Sequence, residues 1–310
     1  MEPTVRHCET AGCGGCAGTR ACMGPGEHDV TFFSSGEKRA ATLTLPRDAT
    51  RPAAAILVHD FGGHRNAPVG FARLAGSLAE GGIASLRFDL QGCGESGPVG
   101  VVCPTGPWAE DVLAAASFAE SLECLDPCRL AVIGLGVGAG VAVEAAAMDE
   151  RIRSVVAFFP VVDGRAWLRG LWETMLGDGA WEGFLGAVEE DRRDRAATGD
   201  SRIVPIEDII PGDRANGPDS DPHLTSHAYL SSADSLLRFR PVRVARCIAP
   251  RPVCVVTGPS GGDQAGVLHG ALGEPRELHT ADVGRCGFGE STADGPVRAL
   301  VAEWLRGVLR

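Results

Sequence analysis

The stretch IGLGVGAG, Ile133 to Gly140, follows the apolar run Leu130-Ala131-Val132, and its reading decides the fold. Gly134, Gly136 and Ala139 fit G-x-G-x-x-G/A, the turn whose glycines let a pyrophosphate approach a helix N-terminus. The same residues fit G-x-S-x-G, the strand-to-helix turn that presents a catalytic serine, with Gly136 where the serine would stand. A dinucleotide fold normally opens on its fingerprint strand and puts an acidic residue at the end of the next strand. Here several strand-like runs come first, and the next run ends Ala157-Phe158-Phe159-Pro160, with no carboxylate before Asp163. The dinucleotide reading fails on context.

Working outward, Val30 to Phe33 and Ala40 to Leu45 are β-rich and separated by the turn Ser35-Gly36-Glu37. Ala53 to His59 is a short continuous apolar run, as expected of a strand buried on both faces. A helix over Phe71 to Glu80 ends at Gly81-Gly82, and Ile83 to Phe88 reads as the next strand. Then follow a helix over Trp108 to Leu122, a strand over Leu130 to Ile133, a helix over Gly138 to Met148 and a strand over Val155 to Phe159. The alternation resumes with Val253 to Val256, a helix near Gln264 to Leu272, a strand over Glu277 to His279 and a last helix over Pro296 to Leu309. Strands alternating with helices predict an α/β fold with a doubly wound, mostly parallel sheet.

The alternation stops between about residues 162 and 247, which predicts a helical cap on a core made of 28–161 and 248–310. The insertion holds Trp167, Trp172 and Trp181, three of the five tryptophans. With Phe184 they are either ordinary core or a lid over an apolar pocket. The charge run Glu189 to Arg195 reads as a solvated helix face, and Ile203 to Asp221 as loop.

With 310 residues, 44% hydrophobic and 22% charged, the composition is that of a globular protein with a large core. A net charge of −11 argues against nucleic acid or an anionic membrane surface as partner. No apolar run approaches the roughly 20 residues of a membrane span, and MEPTVRHCETAGCGG has no apolar signal core, so a cytoplasmic location is expected. Eleven cysteines then read as thiols, metal ligands or small buried residues rather than a disulfide framework. Residues 1–27 are Gly- and Cys-rich and look like a tail. In it Cys8, Cys13 and Cys16, spaced C-x4-C-x2-C and followed by Cys22 and His28, fit an iron–sulfur loop or equally a tetrahedral zinc site, against the preferred reading of a disordered tail. His223 and His227, near Asp219 and Asp221, would clamp a metal only if that segment were helical.

ILVHDFGGHR (56–65), SLRFDLQGCGES (85–96), Trp108 to Phe118 with Asp126-Pro127-Cys128-Arg129, the glycine turn itself, and IAPRPVCVVTG (248–258) occur in the order found in one superfamily. From about residue 29 to the C-terminus the chain resembles the α/β-hydrolases, particularly their dienelactone-hydrolase and acyl-peptidase-like esterases. The resemblance implies a strand and oxyanion loop at 56–65, an acid after Gly258 and a histidine after RELHT. The chain departs from it at all three positions of the triad. Gly136 has no side chain, the stretch after Gly258 is Pro259-Ser260-Gly261-Gly262-Asp263, and Cys286 in GRCGFGE falls at the histidine position. A nucleophile, a base and an orienting acid are all needed for triad chemistry, so Ser-His-Asp hydrolysis is not expected.

The resemblance further implies that the backbone N–H groups of Phe61 and Val137 form an oxyanion hole, since amide donors do not need the serine. Asp60 replaces the glycine of the family's H-G, and His64 lies four residues on, so either is a candidate to move a proton beside a bound carbonyl. The bland alternatives are that Asp60 caps a loop and His64 is solvent-exposed. The expected function is a non-hydrolytic enzyme, carrying out elimination, cyclisation or isomerisation on a carbonyl-bearing small molecule or a carrier-bound acyl group, with no cofactor for the core chemistry. A non-catalytic binding protein, similar to other hydrolase-fold members without the serine, and an esterase using Cys286 are the alternatives. Phe61, Gly136, Val137, Trp167 and Trp172 are the expected pocket residues, and a homodimer is a further expectation.

Overall fold

The computed structural model describes residues 23–67, 69–97, 101–102, 105–212, 223–259, 263–282, 284, 288 and 294–310. Cys8, Cys13, Cys16, Cys22 and Cys286 lie outside the described residues.

β1 (Gly26–Ser34) and β2 (Glu37–Leu45) form an antiparallel hairpin. Its two turn residues, Ser35 and Gly36, both have positive φ, as a two-residue hairpin loop that follows the strand twist requires. The tail therefore ends sooner than expected: Gly26 and Glu27 already pair with Leu45 and Thr44. Next come β3 (Ala54–Val58), α1 (Val69–Glu80), β4 (Ala84–Phe88), the short β5 (Val101–Val102) and α2 (Trp108–Glu120). β6 (Leu130–Leu135) leads into α3 (Val137–Met148), and β7 (Ile152–Phe158) follows. The insertion contains α4 (Gly164–Leu176), α5 (Ala180–Thr198), β8 (Ile203–Pro205), β9 (His227–Tyr229) and α6 (Leu230–Arg238). β10 (Val253–Thr257), α7 (Asp263–Ala271), β11 (Arg276–Thr280) and α8 (Gly295–Val308) complete the chain.

The main sheet has eight strands in the order β1-β2-β4-β3-β6-β7-β10-β11. β1, β2 and β4 pair antiparallel, and from β4 to β11 every pairing is parallel. Period-two alternation divides the central strands between two cores. Ala54, Ile56 and Val58 of β3 pack with Trp108, Val112 and α3, while Ala55 and Leu57 pack with Phe71, Leu74 and Leu78 of α1 and Val301 and Leu305 of α8. A parallel sheet covered on both faces follows from strands that are apolar on both sides.

The glycine-rich turn is packed backbone to backbone. A Cβ on Gly138 would run into the carbonyls of Val58 and His59, and one on Gly134 into Gly138 and Ala139. Helix α3 thus sits closer to β3 than any side chain would allow, and this sets the distance between the two loops that form the site.

Three expectations about the insertion change. It is not purely helical: β8 and β9 form a three-stranded sheet with β5, which comes from outside the 162–247 boundary. The charge run lies on α5 but is not simply solvated. Asp191 is fully buried and accepts from Arg195 Nε (2.9 Å) and Arg202 N (2.8 Å), which ties α5 to the start of β8. Asp234 on α6, also buried, accepts from Arg192 (2.7 Å), Arg195 (3.0 Å) and Arg238 (2.8 Å). Burial acts to raise the Asp234 pKa, but the guanidinium groups of Arg192 and Arg195 outweigh it and hold the carboxyl below its ordinary range. Third, His223 sits in a turn and His227 opens β9, so the helical clamp fails. Among the described residues no cluster of His, Cys, Asp and Glu has the makings of a metal site, and no helix is long and apolar enough to cross a membrane.

Candidate functional site

Gly136 is the apex between β6 and α3, with φ 57° and ψ −117°, a conformation that a residue with a side chain rarely adopts. Its amide donates to Phe158 O (2.9 Å) and its carbonyl accepts from Val161 N (2.9 Å), so the turn is pinned to the end of β7. The helix begins at Val137, one residue earlier than the sequence suggested, and Val137 N is therefore a first-turn amide without a helical acceptor.

That amide finds its acceptor in the loop after β3. Asp60 Oδ1 lies 2.8 Å from Val137 N and 2.8 Å from Phe61 N. Phe61 and Val137 were expected to offer their amides to a substrate carbonyl. Both do converge on one point, but that point is taken by the chain's own carboxylate. The physical reason is plain: bonds from two amides, one of them at the positive end of α3, favour a carboxylate there, and that of Asp60 is within reach. Gly136 completes the arrangement, because a Cβ at 136 would overlap the Asp60 carboxylate. Glycine at 136 and aspartate at 60 therefore depend on each other for space.

The loop itself is held by His59, which the sequence reading passed over. His59 is fully buried. Leu90 N donates to its Nε2 (3.1 Å), so the proton sits on Nδ1, which donates to Asp60 O (2.7 Å). Burial lowers its pKa and keeps the ring neutral, more than the nearby Asp60 carbonyl and Asp89 raise it. Asp89 supports the same loop, accepting from Arg65 N (2.6 Å), Arg65 Nη1 (2.5 Å) and Glu95 N (2.9 Å). The segment 85–96 is thus scaffolding for 59–65.

His64 is 3% exposed, which corrects the solvent-exposed alternative. Asn66 N donates to its Nδ1 (3.3 Å), and its ring centroid lies 5.7 Å from that of His223 in the cap. Thr225 N donates to Gly62 O (3.1 Å), and the Ile206 side chain fills the space over Gly62, so the cap rests directly on the Asp60 loop. Phe61 turns its ring away into the core against Trp108, 6.0 Å between centroids. Trp172 stacks on Phe184 at 4.6 Å and donates to Ile209 O (3.1 Å), while Trp181 lies 5.6 Å from the same phenylalanine. Those contacts belong to the same apolar cluster as the main core. Trp167 is half-buried against the main core. At the far end of the sheet, Gln264 Oε1 accepts from Val162 N (2.9 Å) and Asp163 N (2.8 Å), tying α7 to the start of the cap.

No family model matches the chain. It is 28% identical over 182 residues to an uncharacterized 31.7 kDa protein of the traX-finO intergenic region of Escherichia coli, covering 58% of this chain and 61% of that one. It is 31% identical over 137 residues to the quorum-quenching protein AidA of Acinetobacter baumannii, 44% of each chain. Against protein PA2218 of Pseudomonas aeruginosa it is 35% identical over 136 residues, 42% of this chain and 36% of the other. The chain thus spans less than two thirds of the length of these curated relatives. Among solved structures, PA2218 superimposes with a TM-score of 0.75 at 22% identity, over 91% of this chain and 93% of that one. An alpha/beta hydrolase, GrgF from a Penicillium species, does so with 0.73 at 19% identity, over 91% and 99%. Strand order, the glycine elbow between β6 and α3, and these superpositions lead to one conclusion: the chain has the α/β-hydrolase fold.

Proposed function

We propose that the protein is a non-hydrolytic enzyme in which Asp60 is the proton acceptor for a small-molecule substrate. The observation that carries this reading is the pair of 2.8 Å bonds to Asp60 Oδ1 from Phe61 N and Val137 N, opposite a residue with no side chain. In acyl transfer those amides stabilise the oxyanion of a tetrahedral intermediate. Given to Asp60, they orient a base instead, and the nucleophile position is empty. The proposal therefore departs from a substrate carbonyl polarised between the two amides.

The kind of reaction follows from where charge goes. With the amides committed to Asp60, an enolate oxygen would find no donors there. Elimination suits the site better than enolate-forming isomerisation. A C–H bond breaks with its proton passing to the Asp60 carboxylate, the electron pair forms the new π bond, and the leaving group departs with its own pair. His64, buried four residues along the same loop, is the candidate for a second proton-handling group.

Nitrobenzisoxazole tests this, because a carboxylate base opens its ring by removing the carbon-bound proton as the N–O bond breaks. The protein is expected to accelerate the opening above free acetate, and Asp60→Asn, which keeps shape and both amide bonds, to lower the rate by about ten-fold or more. An unchanged rate in Asp60→Asn, or a stoichiometric acyl or phosphonyl adduct seen by intact mass, would overturn the proposal. A second reading, a non-catalytic binding protein, draws on the same two bonds, since a carboxylate that caps α3 needs no substrate. It is the reading favoured by an unchanged Asp60→Asn.

A further inference from the structure

We infer that the outer edge of β11 is a self-association surface, on which a second copy of this chain pairs antiparallel about a two-fold axis at Leu278. β7 and β10 stand between β11 and β6 in the sheet, so the surface is independent of Asp60 and of its chemistry. β11 ends the eight-stranded sheet, and among the described residues only β10 pairs with it. Val253 N donates to Pro275 O (3.2 Å) and Ala281 N to Thr257 O (2.7 Å). Backbone groups alternate sides along a strand, so those of Glu277 and His279 face β10 and those of Arg276, Leu278 and Thr280 face outward. The Arg276 amide is lent to the exposed Glu274 carboxylate (3.2 Å). A row of outward donors and acceptors is a template for another strand, which proteins usually blunt with a bulge, a proline or a charge. β11 keeps a regular register with β10 and carries at its centre Leu278, which is 44% exposed.

The sequence RELHT selects the occupant, because it complements itself. Antiparallel pairing about Leu278 sets Leu278 opposite Leu278 of the second copy, Arg276 opposite Thr280, and Glu277 opposite His279. The outward-facing residues then fall in hydrogen-bonded pairs. Glu277 and His279 fall in the closer, non-hydrogen-bonded pair, where a carboxylate and an imidazole bond across the strands. Within one chain these two side chains already meet at 2.9 Å on the α8 face of the sheet, where Trp304 Nε1 donates to Glu277 (2.8 Å). Centring the pair on Arg276 or Glu277 instead would set like charges face to face, so the register is fixed as well as the partner. β1, at the other edge of the sheet, carries Glu27 and Asp29 and no Lys or Arg, and offers no such complement to itself.

Sedimentation equilibrium of the full chain over a range of concentrations tests this, with Leu278→Lys and Leu278→Pro beside the wild type. The wild type is expected to dimerise reversibly. Lysine at 278 would face its own copy across the axis, and proline would remove an amide that β10 does not use. Each variant is expected to weaken association by about ten-fold or more. Circular dichroism checks their folding, and one folded variant suffices. Hydrogen exchange followed by NMR in the wild type needs no variant at all. The amides of Leu278 and Thr280 should be protected at dimer concentrations and lose protection on dilution, while those of Glu277 and His279, bonded to β10, stay protected. A wild type that is monomeric at every concentration, a dimer that the folded variants leave intact, or free exchange at Leu278 and Thr280 in the dimer would each overturn the inference.

Discussion

Gly136→Ser is expected to destabilise the protein by about 3 kcal/mol, and Asp60→Gly in the same chain to return about 1 of them. Two costs are distinct. The backbone at 136 has φ 57° and ψ −117°, which strains any residue with a Cβ and remains in the double variant. The overlap of that Cβ with the Asp60 carboxylate is relieved when Asp60 is removed. Asp60→Gly alone also destabilises, by about 1 kcal/mol, because it leaves the first amide of α3 without its acceptor. Chemical denaturation of the wild type, both single variants and the double completes the cycle. Simple additivity of the two single effects would mean that Asp60 and residue 136 do not compete for the same space.

Glu144→Gln is expected to stabilise the protein by about 2 kcal/mol at pH 8.5 and to have almost no effect near pH 4.5. Glu144 lies on α3 among buried residues, and burial pushes its pKa from 4.5 up to about 7. The folded state therefore holds this proton more tightly than the unfolded chain does. Stability from Glu144 is complete below the unfolded value of 4.5, declines as pH rises, and is lost once pH passes about 7. Full conversion of that shift would give about 3 kcal/mol, reduced here because the side chain keeps some contact with water. Urea unfolding of the two proteins across this range reads the difference directly. A difference that does not grow between pH 4.5 and 8.5 would place the ionised carboxylate in water.

The main sheet was legible because burial on both faces leaves a mark that needs no third dimension. β3 and β6 are apolar at every position, and the helices between them begin and end at glycines or polar breaks. β5, β8 and β9 left no such mark, since two or three residues are too few to show a period, and Pro205 reads as a breaker. Asp191 was hidden for another reason. Inside a run of seven charges nothing distinguishes the one that turns inward, because its partners Ser201 and Arg202 lie beyond the helix, in the loop before β8.

The site was half legible. Asp60 and Gly136 were each legible as departures from the pattern that the resemblance implies. Their dependence on each other was not, because the bond from Val137 N to Asp60 spans 77 residues of sequence. His59 was overlooked because a buried histidine with both nitrogens engaged has no local pattern, only partners at Asp60 O and Leu90 N. Trp172 drew attention by its type and by its place in the insertion, yet its ring and its nitrogen are spent on Phe184 and Ile209.

The backbone amide proton of Val137, followed by NMR in the wild type and in Asp60→Ala, tests the central claim most directly. An amide bonded to a carboxylate is shifted downfield, and residue 137 is too far along the chain to feel a substitution at 60 except through space. The account predicts a downfield Val137 resonance in the wild type that moves strongly upfield in Asp60→Ala, with the other α3 amides nearly unmoved. A Val137 resonance that stays in place would contradict it, for the carboxylate would then not lie between the two amides.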